Sequence, residues 1–507
     1  MQALEYTIKE MAEQLGLPPH VLRYYEKEGL LPQVQRAPNG FRLYSEQDME
    51  WLRFICVLRD TGMPIAEIKD FAKRRTEGHS AHAAQYRILQ AHIQKVQDDI
   101  QRLQQGVQAL EKSLSVLERF REQEEETFKE KQEETEQILR AHAIRYPAMQ
   151  PQDAVKILYQ NVFGGGHMIA HPSASLRRLM EEYQNVIPDA HTPLTEPIGN
   201  GICRLHMQAL QEKTQLLTVN RLFVASAEEI HGETADFLKK LEILRQETEN
   251  GRMPFSPEIL EEYLTLYLRE GCHAVSHSPV YRETYHPAYR LLLEKYIPLL
   301  PLFADIENLL MEKGYAVLAV DGPCGSGKTS FASLLSRVYE TTVLHMDDFF
   351  LPPSLRTEAR LAEPGGNIHY ERFLQEAAPG IREHRSVPYR VFDCSCMDYC
   401  GTKYTQPNPV VLIEGSYSQH PLFTDLFDRK IFITCPQTEQ LKRILHRNGP
   451  EMAVQFQEKW IPMEEKYFRA FQIRLHSDWI LDSSVIPGSF VPREKADDPV
   501  ANPSIQH

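Results

Sequence analysis

The chain has 507 residues and a formal net charge of −14, too long for one hydrophobic core and, at the usual domain size, enough for about three or four. The acidic balance excludes a uniformly basic nucleic-acid binder, so any DNA contact has to be local. No apolar run reaches the length of a membrane span, Met1 to Leu17 lacks the zones of a secretory signal, and the eight cysteines are scattered except for Cys394, Cys396 and Cys400, so the expectation is a cytoplasmic protein with no membrane contact and no disulfide frame.

The chain opens on Thr7-Ile8-Lys9-Glu10, a capping box, and Ile8, Met11, Ala12 and Leu15 fall on one face of the helix that Gly16 ends. Pro18 and Pro19 suit the first turn of a second helix, where a missing amide proton is harmless, and His20 to Glu28 completes it before Gly29. Two short helices so joined predict a helix-turn-helix, whose second helix can enter a major groove. Arg36, Asn39-Gly40, Arg42 and Tyr44 then lie on a segment with a two-residue turn at its centre, as in a small β-wing. Ser45 starts a third helix to Asp60, and Pro64 a fourth to Arg75.

From Tyr86 to Leu117 apolar residues alternate at three and four steps: Tyr86, Leu89, Ile93, Val96, Ile100, Leu103, Val107, Leu110, Leu114 and Leu117. That is a coiled-coil seam, and β-branched residues at a with leucine at most d positions favour two strands. A hairpin with residues 121 to 140 is the competing fold, but that segment is polar nearly all round. Position e is mostly glutamine and position g includes Gly106, so charge does not fix strand direction.

Tyr6-Thr7-Ile8-Lys9-Glu10, Arg23-Tyr24-Tyr25-Glu26 with Gly29-Leu30-Leu31, and Asn39-Gly40-Phe41-Arg42-Leu43-Tyr44 resemble the winged helix-turn-helix of MerR-type transcription regulators. The resemblance implies an antiparallel coiled coil joining two heads, and binding to double-stranded promoter operators as a homodimer. Candidate DNA contacts are Arg23, Tyr24, Arg36 and Arg42 for the backbone, Pro19 and His20 at the start of the second helix near base edges, and Tyr44 on the wing.

Residues 141 to 305 read as a mostly helical segment of no recognised role. Pro147 and Pro151 break the long helix, Pro151 to Phe163 forms a new one stopped by Gly164-Gly165-Gly166, Ser256-Pro257 starts another to Glu270, and Tyr281 to Lys295 reads as a helix bent at Pro287. His167 with His171, Cys203 with His206, and Cys272-His273 with His277 lack the paired spacing of a zinc site. The three glycines would let backbone approach a ligand, although a helix stop explains them as well.

From about 306 to 487 the pattern changes to alternating strands and helices. Tyr315 to Val320 is a strand, and Gly322-Pro323-Cys324-Gly325-Ser326-Gly327-Lys328-Thr329 follows it before the helix Ser330 to Val338, the context that a phosphate-binding loop requires. Gly322, Gly325, Ser326, Gly327, Lys328 and Thr329 are therefore the candidate ATP or GTP contacts, with Lys328 on the β and γ phosphates and the Thr329 hydroxyl on magnesium. A strand Thr341 to His345 delivers Asp347 and Asp348, another, Val410 to Ile413, ends in Glu414-Gly415, and Lys442, Arg443, His446 and Arg447 follow as a basic helix.

This order resembles the uridine kinase and phosphoribulokinase group. The resemblance implies that Asp347 is the general base, Glu414 a magnesium ligand, Arg443 and Arg447 lid residues, and Pro388 to Asp393 a substrate-side segment. His369 stands where the nucleoside kinases carry a sugar-orienting acid, so the acceptor is left as an unidentified small hydroxyl compound. Cys394, Cys396 and Cys400 fall near the same pocket with no fourth ligand. The expected architecture is thus multidomain: an all-α winged helix-turn-helix over 1–77, a dimerisation helix over 78–140, a mostly helical part over 141–305, an α/β kinase-like domain over 306–487, and a disordered tail over 488–507. The function expected is a DNA-binding regulator fused to a small-molecule kinase, or else to a module that senses nucleotide without catalysis.

Overall fold

A computed structural model describes residues 5–31, 34–74, 79–210, 215–484 and 490–493. The chain forms two compact units, Met1–Thr127 and Phe128–His507.

In the first unit the Thr7 hydroxyl accepts from the Glu10 amide at 3.3 Å while Glu10 accepts from the Thr7 amide at 2.8 Å, and the helix Ile8–Leu15 ends on Gly16 at φ 65. The second helix, Pro19–Lys27, buries Leu22 and Tyr25. Ser45 and Asp48 form a second capping box ahead of the helix Glu46–Asp60, and Ile65–Arg74 follows; Arg75 lies outside the described residues. Three short antiparallel strands, Glu5–Thr7, Gln35–Arg36 and Arg42–Ser45, complete the head, which is therefore not all-α. The turn between the last two also differs from the expected two-residue form. The Ala37 amide donates to the Phe41 carbonyl at 2.8 Å, so Pro38, Asn39 and Gly40 all lie in the loop, and Asn39 Oδ1 accepts from the Phe41 amide at 3.2 Å.

One helix runs from His79 to Arg145, ending two residues before Pro147, which cannot continue it. In the second unit the middle part is not only helical. Thr195–Gly199, Ile202–His206 and Tyr289–Leu293 form an antiparallel sheet with Ile202–His206 at its centre. The helix expected over Tyr281 to Lys295 stops at Tyr285. Proline bars its predecessor from the helical region; His286, just before Pro287, sits at φ 44, and the apolar run after it pairs with the central strand.

One face of this sheet is polar yet buried. Arg204 is 1% exposed; it donates to Gln160 at 2.8 Å, lies 3.4 Å from Glu196, and covers the Tyr289 ring at 4.6 Å. His277 bridges Asp153 at 2.9 Å and the Tyr289 hydroxyl at 2.7 Å. His277 thus belongs to a buried hydrogen-bond network, and His206 Nε2 lies 4.0 Å from Glu196. Among the described residues no group of three or more His, Cys, Asp or Glu is arranged to hold a metal. Gly165 is set by packing: a Cβ there would lie 2.5 Å from the Phe223 ring.

The C-terminal part is a six-stranded sheet in the order Val491–Arg493, Trp479–Asp482, Arg429–Thr434, Ala316–Asp321, Val410–Glu414, Thr341–His345. Neighbours are parallel except at the Val491–Arg493 edge. The near-continuous apolar run of Ala316–Asp321 fits a strand covered on both faces, and all six of its residues are buried. A single hydrophobic cluster runs from Leu139 through Leu244 and Phe303 to Leu335, Ile433 and Leu481, so residues on both sides of 305/306 share one core. Of the tail expected to be disordered from 488, Val491–Arg493 form the edge strand; residues 488–489 and 494–507 lie outside the described residues.

Candidate functional site

The carboxyl ends of the parallel strands carry the loop Gly322 to Thr329, at the edge where open α/β sheets place their chemistry. Gly322 sits at φ 146, and a Cβ there would lie 2.1 Å from the Ile433 carbonyl, so only glycine lets the loop leave its strand. Gly327 at φ 98 caps the helix Lys328–Val338, whose first amides and dipole face the loop. Lys328 Nζ donates to the carbonyls of Gly322 at 2.7 Å and Pro323 at 2.9 Å. The Ser326 hydroxyl is buried and has no partner among the described residues.

A cleft of about 1000 Å³ opens over this loop, at the upper end of volumes usual for ligand sites. Its walls include Lys328, Thr329, Asp347, Glu414, Arg443 and Arg447, brought together from four segments. Lys442 and His446, on the same helix, are exposed and do not line it. The Thr329 hydroxyl donates to Glu414 Oε1 at 3.2 Å, and the same oxygen accepts from His345 Nδ1 at 2.6 Å. Asp347 faces the cleft, whereas Asp348 turns away to Lys403 at 2.9 Å. Although water reaches the Asp347 carboxyl, protein rings it on most sides; this desolvation raises its pKa, opposed by the Lys328 charge. Arg443 donates to the Ser483 hydroxyl and carbonyl, each at 2.9 Å.

Two carboxylates not singled out from sequence organise the site. Asp321 is fully buried and accepts from the amides of Gly322, Tyr417 and Gln419 at 2.8, 3.1 and 3.0 Å and from the Tyr467 hydroxyl at 2.8 Å. Burial raises it to about 6. Its place at the end of the strand, directly before the loop, is the one available signal. Glu464, on the helix Ile461–Ala470, accepts from the Cys324 amide at 2.9 Å and the Ser416 hydroxyl at 2.6 Å. No motif marks it. Cys394 lines the cleft, while Cys396 and Cys400 are exposed on the hairpin Pro388–Asp393 and Asp398–Tyr404. His369 receives or gives a hydrogen bond with Tyr399 at 3.3 Å.

In the head, Pro19, His20, Arg23 and Tyr24 are exposed on the second helix. Arg42 donates to Glu26 at 2.6 Å, and Arg36 lies 3.8 Å from the same carboxylate. Tyr44 does not join this surface: it is 0% exposed, part of the core with Met11, Leu22 and Leu52, because strand alternation turns it inward between Leu43 and Ser45. On the long helix, Tyr86, Ile93, Ile100, Leu103, Val107, Leu110, Leu114 and Leu117 are all exposed, an apolar stripe without cover in the single chain.

The first unit is thus a helix-turn-helix head continuing into a helix with an uncovered apolar seam, and the second carries a cleft over a glycine-rich loop on a parallel sheet. The N-terminal part of the chain is similar to the MerR family: residues 6–74 match the MerR HTH family regulatory protein domain, and residues 49–112 the MerR, DNA binding domain. The chain is 37% identical over 89 residues to the HTH-type transcriptional regulator AdhR of Bacillus subtilis, covering 18% of this chain and 64% of that one. It spans about half to two thirds of the length of the curated relatives it matches. Among solved structures, HiNmlR, a MerR family regulator lacking the sensor domain and bound to promoter DNA, is 32% identical, with 22% of this chain and 89% of that chain covered and a TM-score of 0.21. A possible uridine kinase from Bacillus stearothermophilus is similar at 18% identity, with 36% and 98% covered and a TM-score of 0.26. Among the described residues no helix is long and apolar enough to cross a membrane.

Proposed function

We propose that the chain is a homodimeric, DNA-binding transcription regulator whose second unit binds ATP or GTP with magnesium and transfers the terminal phosphoryl group to a small hydroxyl compound. The observation that carries the second half is the convergence of Lys328, Thr329, Glu414, Asp347 and Arg443 on one cleft. The donor set fits the nucleotide and its ion: a glycine-bounded helix start, a Thr329 hydroxyl 3.2 Å from Glu414, and the Ser326 hydroxyl, which has no partner among the described residues. Thr329 and Glu414 would hold magnesium, which supplies charge neutralisation on the phosphates.

Each remaining part follows from this chain's own groups. The loop amides receive phosphate oxygens, and Lys328 exchanges the carbonyls of Gly322 and Pro323 for the β and γ phosphates. Asp347, its basicity increased by desolvation, takes the proton of the attacking hydroxyl. Arg443 and Arg447 offset charge on the group in transfer. His345 holds Glu414 in place.

In the head, Pro19 and His20 are assigned to base edges and Arg23, Tyr24, Arg36 and Arg42 to backbone phosphates, with the seam of the long helix pairing two chains. Lys328→Ala tests the two halves together. Loss of product formation with unchanged DNA binding supports two activities in one chain. Loss of nucleotide-dependent DNA binding in a protein that never turns nucleotide over favours a sensor instead.

A further inference from the structure

Arg356 stands apart from its neighbours on the acceptor side of the cleft. Arg360 pairs with Glu371 at 2.8 Å, Arg372 with Glu376 at 3.2 Å, and Arg390 with the same Glu376 at 2.6 Å. Arg356 lines the cleft, and among the described residues no carboxylate pairs with it. Its Nε donates to the Leu351 carbonyl at 2.8 Å, and its guanidinium lies 5.9 Å from the centre of the Phe392 ring. Those contacts fix the fork and leave both terminal nitrogens open, the geometry that grips a planar carboxylate or a phosphate with two parallel bonds. Arg356 lines the same cleft as Asp347 and Cys394. A second polar group lines the cleft: Asn367 is nine-tenths buried, its side chain is hydrogen-bonded with Tyr417, and its Oδ1 has no partner among the described residues. A buried acceptor atom left unpaired is costly unless a ligand supplies the donor.

We propose that the phosphoryl acceptor is an anionic hydroxyl compound, its phosphate or carboxylate gripped by Arg356 and one of its hydroxyls donating to Asn367. The inference rests on the kinase reading above and adds the acceptor's class. The acceptor oxygen forms its bond to the terminal phosphorus, its proton goes to Asp347, and the bridging oxygen keeps the electron pair and leaves with the nucleoside diphosphate. The positively charged fork also discriminates: an uncharged compound leaves the guanidinium without its partner.

The test uses the full chain with ATP and magnesium and three pairs of probes: ribose 5-phosphate with ribose, glycerate with glycerol, gluconate with glucose. Two readouts are taken, ADP release and thermal stabilisation in the presence of a non-hydrolysable ATP analogue. The charged member of at least one pair is expected to bind and be turned over. Arg356→Met should then raise its KM or Kd about 10- to 100-fold, the range of a lost charge-assisted pair, with kcat and the KM for ATP nearly unchanged and Arg356→Lys recovering part. Stabilisation by a charged probe that needs Arg356, without turnover of any compound, upholds the anion site and rejects the kinase reading. The inference is overturned if the uncharged members bind and the charged ones do not, if no charged probe binds, or if Arg356→Met weakens ATP instead.

Discussion

Ile100→Asp tests the pairing of two chains through the long helix. Ile100 is 50% exposed in the single chain and lies midway along a stripe of eight exposed apolar residues from Tyr86 to Leu117. Full burial of an isoleucine contributes about 1.5–3 kcal/mol, so covering the exposed half in both copies of a dimer contributes about 2 kcal/mol. Each carboxylate carried into the seam adds about 1 kcal/mol or more of desolvation. The sum, roughly 4 kcal/mol, weakens the dimer about a thousandfold. Sedimentation velocity from nanomolar to tens of micromolar measures it, with Gln101→Asp, one residue outside the seam, as the control. The wild type and Gln101→Asp should dimerise with equal affinity and Ile100→Asp should be largely monomeric. A wild type that stays monomeric at every concentration, or an Ile100→Asp dimer as tight as the control, refutes the reasoning.

Arg23→Ala should weaken DNA binding about equally for different sequences and reduce the salt slope of log K by about 2, one for each copy in the dimer, because the residue is assigned to phosphates; filter binding at several salt concentrations checks this, and loss confined to one sequence contradicts it. Asp347→Asn should lower kcat about 10²- to 10⁴-fold while leaving nucleotide affinity within a few-fold, as removal of a general base does. Asp321 gives a pH signature. Its folded pKa of about 6 lies above the ordinary carboxyl value, so the fold favours the protonated form, and its contribution to stability is present below about pH 4 and lost as pH rises to about 6. Over that window the stability of the wild type relative to Asp321→Asn should fall by about 3 kcal/mol. A difference that is flat or rises in thermal unfolding between pH 4 and 7 contradicts it.

What the residues reveal on inspection is what local rules govern. Thr7-Ile8-Lys9-Glu10 specifies its helix start through two hydrogen bonds within four residues, and Gly322 to Thr329 must follow a strand and start a helix to work at all. The seam was legible because ten positions keep one alternation of three and four steps. The middle part was not, because its decisive contacts are distant in sequence: Glu196 with Arg204 and Tyr146, and Asp153 with His277. Read alone, Tyr289-Arg290-Leu291-Leu292-Leu293 suits a helix as well as a strand, and only its partner Ile202–His206 decides. Tyr44 was misplaced for a related reason, since its residue type fits a DNA contact but its strand face points inward. In the cleft, Lys328, Thr329, Asp347, Glu414 and Arg443 lie in recognisable motifs. Glu464 and Arg356 matter only through what surrounds them in space.

The account depends most on the loop before the helix Lys328–Val338 being a triphosphate cradle. Equilibrium titration of the full chain with a fluorescent ATP analogue and magnesium measures this without assuming any acceptor. One saturable site per chain is expected, weakened in Lys328→Ala by about 10- to 100-fold, as loss of charged hydrogen bonds to phosphate implies. Absence of saturable binding by the wild type, or equal binding by the variant, would contradict it.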